Sequence, residues 1–197
     1  MEGLERMAVA VNRLKAGSKA PDFAFESPWN KGLKLSDFAS RGPVFLWFMR
    51  YYGCTLCQLD IRNLARNYKA FSDKGASVIV VLQSDPAKIR GLVGKADLPF
   101  TIACDPAQEL FKRYEVRPAV SQAELMSLGT IKKIGEAMMA GIRHGDYEGV
   151  EFQLPALFLL GPGLEIRWAK YAKNLADLPS VQEMASLLDV ETKEAGR

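Results

Sequence analysis

The stretch VFLWFMRYYGCTLCQLDIRNL, residues 44–64, changes from an apolar run into a helical pattern within a few positions. Its first six residues are continuously apolar, which is typical of a strand buried on both faces. Cys54 and Cys57 then stand where apolar residues begin to recur at helical spacing. Two thiols three positions apart at a strand-to-helix turn can bind a metal, cycle between dithiol and disulfide, or attack a peroxide.

The sequence after this stretch continues to alternate between strand and helix patterns. The first helix should run from about Cys54 to Lys74, with Gly75 as its C-cap. The segments that follow predict a strand in ASVIVVLQSD (76–85), a helix from Pro86 to Lys95, a strand in PFTIAC (99–104) and a helix ending at Tyr114. This order indicates βαβ units and an α/β fold with a largely parallel central sheet.

The two ends of the chain have a different character. Before the first strand we predict a short helix at residues 3–14, and LKLSDF (33–38) indicates an edge strand and a turn. The last third predicts a β-hairpin across Gly161-Pro162-Gly163 and a closing helix in LPSVQEMASLLD (178–189). We therefore expect one domain over residues 1–197.

A segment of about thirty residues, roughly 118–150, interrupts the alternation. Five apolar residues in it fall on one helical face: Leu128, Ile131, Ile134, Met138 and Ile142. They predict an inserted helix before the last hairpin, and its apolar face should be buried against something, as a lid or a dimer surface.

Composition and charge exclude several classes of function. The chain has 197 residues, is 48% hydrophobic and carries a net charge of +3 with no basic run, so neither nucleic acid nor a membrane surface is an expected partner. The amphipathic, charged start does not resemble a signal peptide, and no apolar stretch approaches 18 residues. Three cysteines do not make a disulfide framework, which favours a reducing cytoplasm.

The position of each thiol on the helix predicts its role. Cys54 at the helix start lies near unpaired N–H groups and the positive end of the macrodipole, which stabilise a thiolate. Cys57 lies one turn further in, on the same side. Cys54 is thus the expected nucleophile and Cys57 the expected resolving thiol.

Several segments together resemble the peroxiredoxin-like members of the AhpC/TSA group within the thioredoxin superfamily. These are GSKAPDFAFESPWNKGLKLSDF, GPVFLWFMRYYGCTLCQLD, CDPAQELFKRYEV, QLPALFLLGPGLEIRWAKY and NLADLPSVQEM, between residues 16 and 188. The resemblance implies a thioredoxin-like fold, a central mixed sheet flanked by helices. It also implies that Pro155 corresponds to a proline held in the cis form opposite the cysteines, where a backbone edge can pair with a disulfide substrate.

Four residues are expected to bind substrate around the cysteine pair: Arg50, Tyr52, Leu154 and Pro155. Tyr52, with Tyr51, can form an apolar lip beside the nucleophile or pack on the chain's own loops. Arg50 can lower the pKa of Cys54 or stand solvated at the strand end.

This sequence also departs from the family pattern. The proline, threonine and later-strand arginine that surround a peroxidatic cysteine are missing at the matching positions, which weakens polarisation of a peroxide O–O bond. Thioredoxin's buried carboxylate beneath the resolving cysteine is missing as well, because FLWFM (45–49) is wholly apolar. Proton transfer to and from Cys57 must then come from water or elsewhere.

A zinc site and other roles for the remaining candidates are less well supported. Cys104 and His144 would have to join the cysteine pair, but the chain has no second CxxC and no HxxxH. Nothing in the sequence places His144 near Cys54, and Cys104 is expected to be a small buried hydrophobe.

Three functions from different classes follow, in order of preference. The first is a thiol–disulfide oxidoreductase with a Cys54/Cys57 dithiol–disulfide cycle, the second a hydroperoxide reductase with Cys54 peroxidatic and Cys57 resolving. The third is a non-catalytic binding module. We expect no cofactor and no metal, since no nucleotide-binding motif appears. The expected partners are a disulfide, small-thiol or peroxide substrate, a reductant such as thioredoxin or glutathione, and a second copy in a homodimer.

Overall fold

A computed structural model describes residues 13–194, with side chains described as far as residue 189. The helix predicted over residues 3–14 lies outside the described residues except for its last two positions, which are not helical. The first regular elements are a short antiparallel pair followed by a short helix: β1 (Ala24–Phe25), β2 (Leu33–Lys34) and α1 (Leu35–Ala39). The predicted edge strand is therefore present, and the predicted turn after it is a helix.

The apolar runs of the sequence form the main sheet. Its strands are β3 (Val44–Phe48), β4 (Ser77–Leu82), β5 (Thr101–Cys104), β6 (Ala156–Leu160) and β7 (Ile166–Tyr171). In the described part of the chain they lie in the order β5-β4-β3-β6-β7. β3, β4 and β5 are parallel, whereas β6 and β7 are antiparallel to their neighbours. The predicted mixed α/β sheet and final hairpin are confirmed.

Helices connect and cover these strands. They are α2 (Thr55–Asn67), α3 (Lys69–Ser72), α4 (Pro86–Leu92), α5 (Glu109–Arg113), α6 (Gln122–Leu125), α7 (Leu128–Met139) and α8 (Val181–Glu194). The long helix predicted from Cys54 is divided at Tyr68, and Gly75 ends the second piece with φ +66° as expected of a C-cap. No helix within residues 13–194 is long and apolar enough to cross a bilayer.

Both faces of the sheet are buried because side chains alternate along each strand. Phe45 and Trp47 of β3 point into a core shared with α2 and α8. Val44, Leu46 and Phe48 point into the opposite core, which α1 and α5 cover. The end of β3 is thus held between two layers, and α2 begins a few residues beyond it.

The insertion is only partly helical, and the residues of its predicted apolar face are divided between the core and the surface. α7 packs on α2, with Ile134 and Ala137 in the core that the two helices share, whereas Leu128 is 87% and Met138 70% exposed. An ion pair from Lys133 adds to this contact. Ile134 and Ala137 therefore face the protein, and Leu128, Ile131 and Met138 face outward. Residues 143–151, which we term the strap, then run without helix or strand back across the CxxC loop.

Candidate active site

The two cysteines lie at the junction between β3 and α2. Cys54 is the N-cap of α2, and its Sγ accepts a hydrogen bond from the Cys57 N–H at 3.4 Å. A thiolate there satisfies one of the unpaired N–H groups of the first turn and faces the positive end of the helix dipole. Cys54 is fully buried and Cys57 is 6% exposed, and neither is in a disulfide.

Arg50 lies against the sulfur of Cys54. Its Nη2 donates to Cys54 Sγ at 2.9 Å, and its Nη1 donates to the Glu151 carbonyl at 2.7 Å. The guanidinium is therefore buried between the nucleophile and the strap, and is not solvated at the strand end. Its Nε is also buried and has no hydrogen-bond partner among the described residues.

The environment moves the two thiol pKa values in opposite directions. The pKa of Cys54 is lowered to about 5 by a hydrogen bond from the Cys57 thiol, with further contributions from the charge and N–H of Arg50 that outweigh burial. The pKa of Cys57 is raised well above its usual value, first by burial and then by the adjacent Cys54. A thiolate at Cys54 beside a thiol at Cys57 is the arrangement that a nucleophile and a resolving thiol require.

Asp60 is a site residue that the sequence analysis missed. It follows Cys57 by one helical turn, is 18% exposed, and its Oδ2 lies 2.6 Å from Lys133 Nζ on α7. Burial raises the pKa of Asp60 although Lys133 opposes the shift. The prediction that Cys57 lacks a nearby carboxylate rested on the apolar β3 alone, whereas an acidic residue three positions after Cys57 was the available signal.

A cavity of about 20 Å³ lies beside the two cysteines. Its lining residues come from three parts of the chain: Met49, Arg50, Cys54, Leu56, Cys57, Asp60, Pro155 and Leu175. A volume of this size holds about one water molecule. The reacting sulfurs, the cation and the carboxylate therefore share one small space.

Pro155 lies at this cavity as predicted, but its predicted cis conformation is wrong. All peptide bonds within residues 13–194 are trans, and the Pro155 carbonyl accepts from Ala172 N at 3.0 Å, continuing the pairing of β6 with β7. Leu154 is buried in a small cluster with Ala119 and Leu125 and is not among the cavity-lining residues. X–Pro bonds are ordinarily trans. The hydrogen bond from Ala172 N to the Pro155 carbonyl is compatible with that form. Substrate binding by Leu154 and Pro155 stays a prediction.

The two tyrosines before the cysteines take different positions. Tyr51 is fully buried, and its hydroxyl lies 3.2 Å from His144 Nε2 on the strap. The strap thus brings His144 to the CxxC loop, a position that the sequence did not predict. Tyr52 is half-buried and lines a groove with Ile142, away from the cysteine cavity. Its predicted contact with substrate stays a prediction.

Cys104 lies apart from the cysteine pair. It is half-buried in a separate cavity with Glu26, Asp85 and Arg90, and burial raises the pKa of its thiol to about 12. The four side chains considered as zinc ligands are therefore not brought together. Within the described ranges, no group of three or more His, Cys, Asp or Glu side chains is arranged to hold a metal ion.

The strap approaches the CxxC loop so closely that glycine is required. Gly145 N donates to Gly53 O at 2.8 Å, and a Cβ on Gly53 would collide with the Asp146 carbonyl. We expect Gly53→Ala to lower the free energy of unfolding by about 1–3 kcal/mol. Gly135→Ala on α7 is the matched control, because its Cβ would meet nothing and should raise stability by about 0.5–1 kcal/mol. Urea denaturation of both variants tests this, and an unchanged Gly53→Ala midpoint would contradict the close approach.

The fold and the site define a thioredoxin-fold protein with a CxxC pair at the start of its first long helix. The family model of the AhpC/TSA family matches residues 16–169. The chain therefore belongs to the AhpC/TSA family.

Known proteins similar to this chain include members of two functional groups. Thiol-disulfide oxidoreductase ResA from Bacillus thuringiensis subsp. konkukian is 31% identical over 108 residues, which is 54% of this chain and 61% of ResA. Peroxiredoxin-like 2C from Bos taurus is 23% identical over 155 residues, covering 73% and 67% of the two chains. The crystal structure of reduced Plasmodium vivax 2-Cys peroxiredoxin matches with a TM-score of 0.68 and 18% identity, covering 92% and 84%. That structural match establishes the fold.

Proposed function

We propose that this chain is a thiol–disulfide oxidoreductase that cycles between a Cys54/Cys57 dithiol and disulfide. The observation that carries the proposal is the contact of Arg50 Nη2 with Cys54 Sγ at 2.9 Å, beside a resolving thiol one turn away. It supports a buried thiolate at neutral pH, which is the species that attacks sulfur. The similarity to thiol-disulfide oxidoreductase ResA supports the same chemistry.

The reaction proceeds in two exchanges. The Cys54 thiolate attacks one sulfur of the substrate disulfide, the substrate S–S bond breaks, and the released thiolate takes a proton from water. Cys57 then loses its proton and attacks Cys54 Sγ, which releases the second substrate thiolate and leaves a Cys54–Cys57 disulfide. Two electrons pass to the substrate, and two thiols of an external reductant, such as thioredoxin or glutathione, return them.

Asp60 accepts the Cys57 proton in the second exchange. Both residues line the same cavity, and the raised pKa of the carboxyl fits it to take up and return a proton. Lys133 holds the carboxylate in place from α7. The acid that FLWFM lacks on β3 is thus supplied from α2.

Replacing Asp60 with asparagine is expected to slow the second exchange by about 100-fold, the lower end for a general base. In the variant, the rate of thiol release should keep rising with pH until Cys57 ionises directly. In the native protein, the rate should level off at a lower pH. Asp73→Asn, an exposed partner of Lys69, is the control that should leave both unchanged. Rapid-quench measurement of thiol release across pH checks this, and an unaltered pH profile for Asp60→Asn would remove Asp60 from the mechanism.

Hydroperoxide reduction is the second candidate, and the unpartnered Nε of Arg50 is the observation that favours it. A buried N–H beside the thiolate can polarise a peroxide O–O bond, the role left vacant by the missing family residues. The thiolate would attack one oxygen to give a sulfenic acid and an alcohol or water, and Cys57 would condense with it, releasing water. The similarity to peroxiredoxin-like 2C supports this candidate.

The test is a stopped-flow recording of tryptophan fluorescence on the reduced protein, because Trp47 shares a core with both cysteines. Fast reaction with a disulfide and slow reaction with hydrogen peroxide supports the oxidoreductase. Fast reaction with peroxide alone would replace it with the second candidate. If neither changes the signal and thiol titration agrees, the third candidate, a binding module, takes their place.

A cytoplasmic location and a homodimer complete the proposal. An odd count of three cysteines, which does not make a disulfide framework, supports a reducing compartment. Cell fractionation tests the location. Analytical ultracentrifugation tests the dimer.

A further inference from the structure

A cleft of about 440 Å³ lies beside the cysteine cavity. The two spaces are adjacent, because Asp60, Pro155 and Leu175 line both. Its walls are α2, the inserted helix α7 and the segment that leads into α8. Its volume is in the range of pockets for small molecules.

The length of the cleft fits a short peptide. Asp60, Asn63 and Asn67 of α2 line it in succession, on the side of the helix that continues from Cys57. From Asp60 to Asn67 an α-helix rises about 10 Å. An extended tripeptide spans about 10 Å. A tripeptide with its sulfur at the Asp60 end, where the cleft meets the cysteine cavity, therefore fits along the cleft.

The cleft presents both charges to a ligand. Lys132 and Glu136 stand one turn apart at its edge, and their long separation of 3.9 Å and exposure leave both able to contact other ions. An ammonium and a carboxylate group on one ligand complement such a pair.

A buried donor also lines the cleft. Trp47 is 3% exposed, and its Nε1 has no hydrogen-bond partner in the part of the chain that the structure describes. A buried N–H without a partner is uncommon in proteins, and a ligand oxygen would satisfy it.

We propose that this cleft binds a small zwitterionic peptide disulfide, of the size of a tripeptide per arm, as the substrate of the oxidoreductase. The inference rests on the proposed function and names its substrate class. The sulfur of the arm held in the cleft enters the adjoining cysteine cavity, where the Cys54 thiolate attacks it and releases the other arm as a thiolate. Cys57 then displaces the bound arm, so that one disulfide is reduced to two thiols and Cys54 and Cys57 are oxidised. A dithiol reductant other than the product thiol, such as thioredoxin, returns the two electrons.

Three disulfides separate the substrate classes: glutathione disulfide, uncharged 2-hydroxyethyl disulfide and insulin. Each rate is divided by that of free dithiothreitol with the same disulfide, which removes differences in intrinsic reactivity. We expect the normalised kcat/KM for glutathione disulfide to exceed that for 2-hydroxyethyl disulfide about tenfold, from two partly exposed ion pairs of about two- to fivefold each. Equal normalised values, or a higher value for insulin, would overturn the proposal.

Substitutions at Lys132 test the site itself. Lys132→Gln should raise KM for glutathione disulfide about two- to fivefold with kcat unchanged, and leave 2-hydroxyethyl disulfide unaffected. Lys132→Arg should restore KM, and the exposed Lys34→Glu is the control outside the cleft. An unchanged KM in Lys132→Gln would overturn the assignment.

Binding without reaction is measured by calorimetry on the Cys54→Ser/Cys57→Ser protein with glutathione disulfide. Binding that Lys132→Gln weakens supports the cleft, and no binding opposes it. Insulin reduction that needs Cys54, without glutathione disulfide reduction, would overturn this inference and leave the proposed function standing. No Cys54-dependent reduction of any disulfide would overturn both.

Discussion

Cys54→Ser is expected to abolish disulfide reduction completely, whereas Cys104→Ser should leave it unchanged. A serine hydroxyl cannot form the mixed disulfide, so the cycle stops before its first step. Cys104 lies in a separate cavity where burial raises the pKa of its thiol to about 12, so it is a thiol at neutral pH. A coupled assay of disulfide reduction with all variants at equal concentration measures this.

Cys57→Ser supplies the complementary result. The first exchange should proceed and the second should not, so the protein accumulates a mixed disulfide at Cys54. Intact-mass spectrometry should show one added substrate thiol per chain, removed by dithiothreitol. An adduct on Cys57 in Cys54→Ser at a comparable rate would reverse the roles of the two cysteines.

Arg50→Gln is expected to raise the pKa of Cys54 by about one to two units. A hydrogen bond to a charged group contributes about 1.5–3 kcal/mol, and one pKa unit corresponds to about 1.4 kcal/mol. The pKa of Cys54 in the native protein is about 5, so its thiolate is fully formed at pH 7 and is lost as the pH falls through 5. The variant should lose its thiolate at a higher pH, and near pH 5 its alkylation by iodoacetamide should slow several-fold.

The alkylation rate between pH 4 and 9 gives this midpoint directly. Arg50→Lys keeps the charge with a different donor geometry and should have a midpoint between those of the native protein and Arg50→Gln. Arg41→Gln is the control, because its guanidinium bonds to the Asp37 carbonyl on α1 and not to the site. If Arg50→Gln keeps the native midpoint, the hydrogen bond from Cys57 and the helix end alone stabilise the thiolate.

The local patterns of the sequence predicted most of the fold. The continuous apolar runs of β3 and β4 predicted strands buried on both faces, because each face of a central strand contacts a covering layer. The spacing of Cys54 and Cys57 at the strand-to-helix turn predicted which thiol is stabilised, because the geometry of a helix start is local. The Gly161-Pro162-Gly163 turn correctly placed the last hairpin.

The outward face of α7 was beyond local reasoning. Periodicity reports which residues share a face of a helix, but not which face meets the protein. Ala137 and Ile134 pack in the core beside α2, and the Lys133–Asp60 ion pair strengthens that contact, so Leu128 and Met138 remain outside.

The sequence by itself determined the α/β order, the strand-to-helix position of the CxxC pair and which of its two thiols has the more stable thiolate. Only the tertiary structure decided what surrounds them: Arg50 turned inward to Cys54, Asp60 paired with Lys133, His144 against Tyr51, and Pro155 in trans. The reason is physical. Strand and helix preferences arise from neighbours a few residues apart, whereas these contacts join residues up to about a hundred positions apart, as in Arg50 with Glu151.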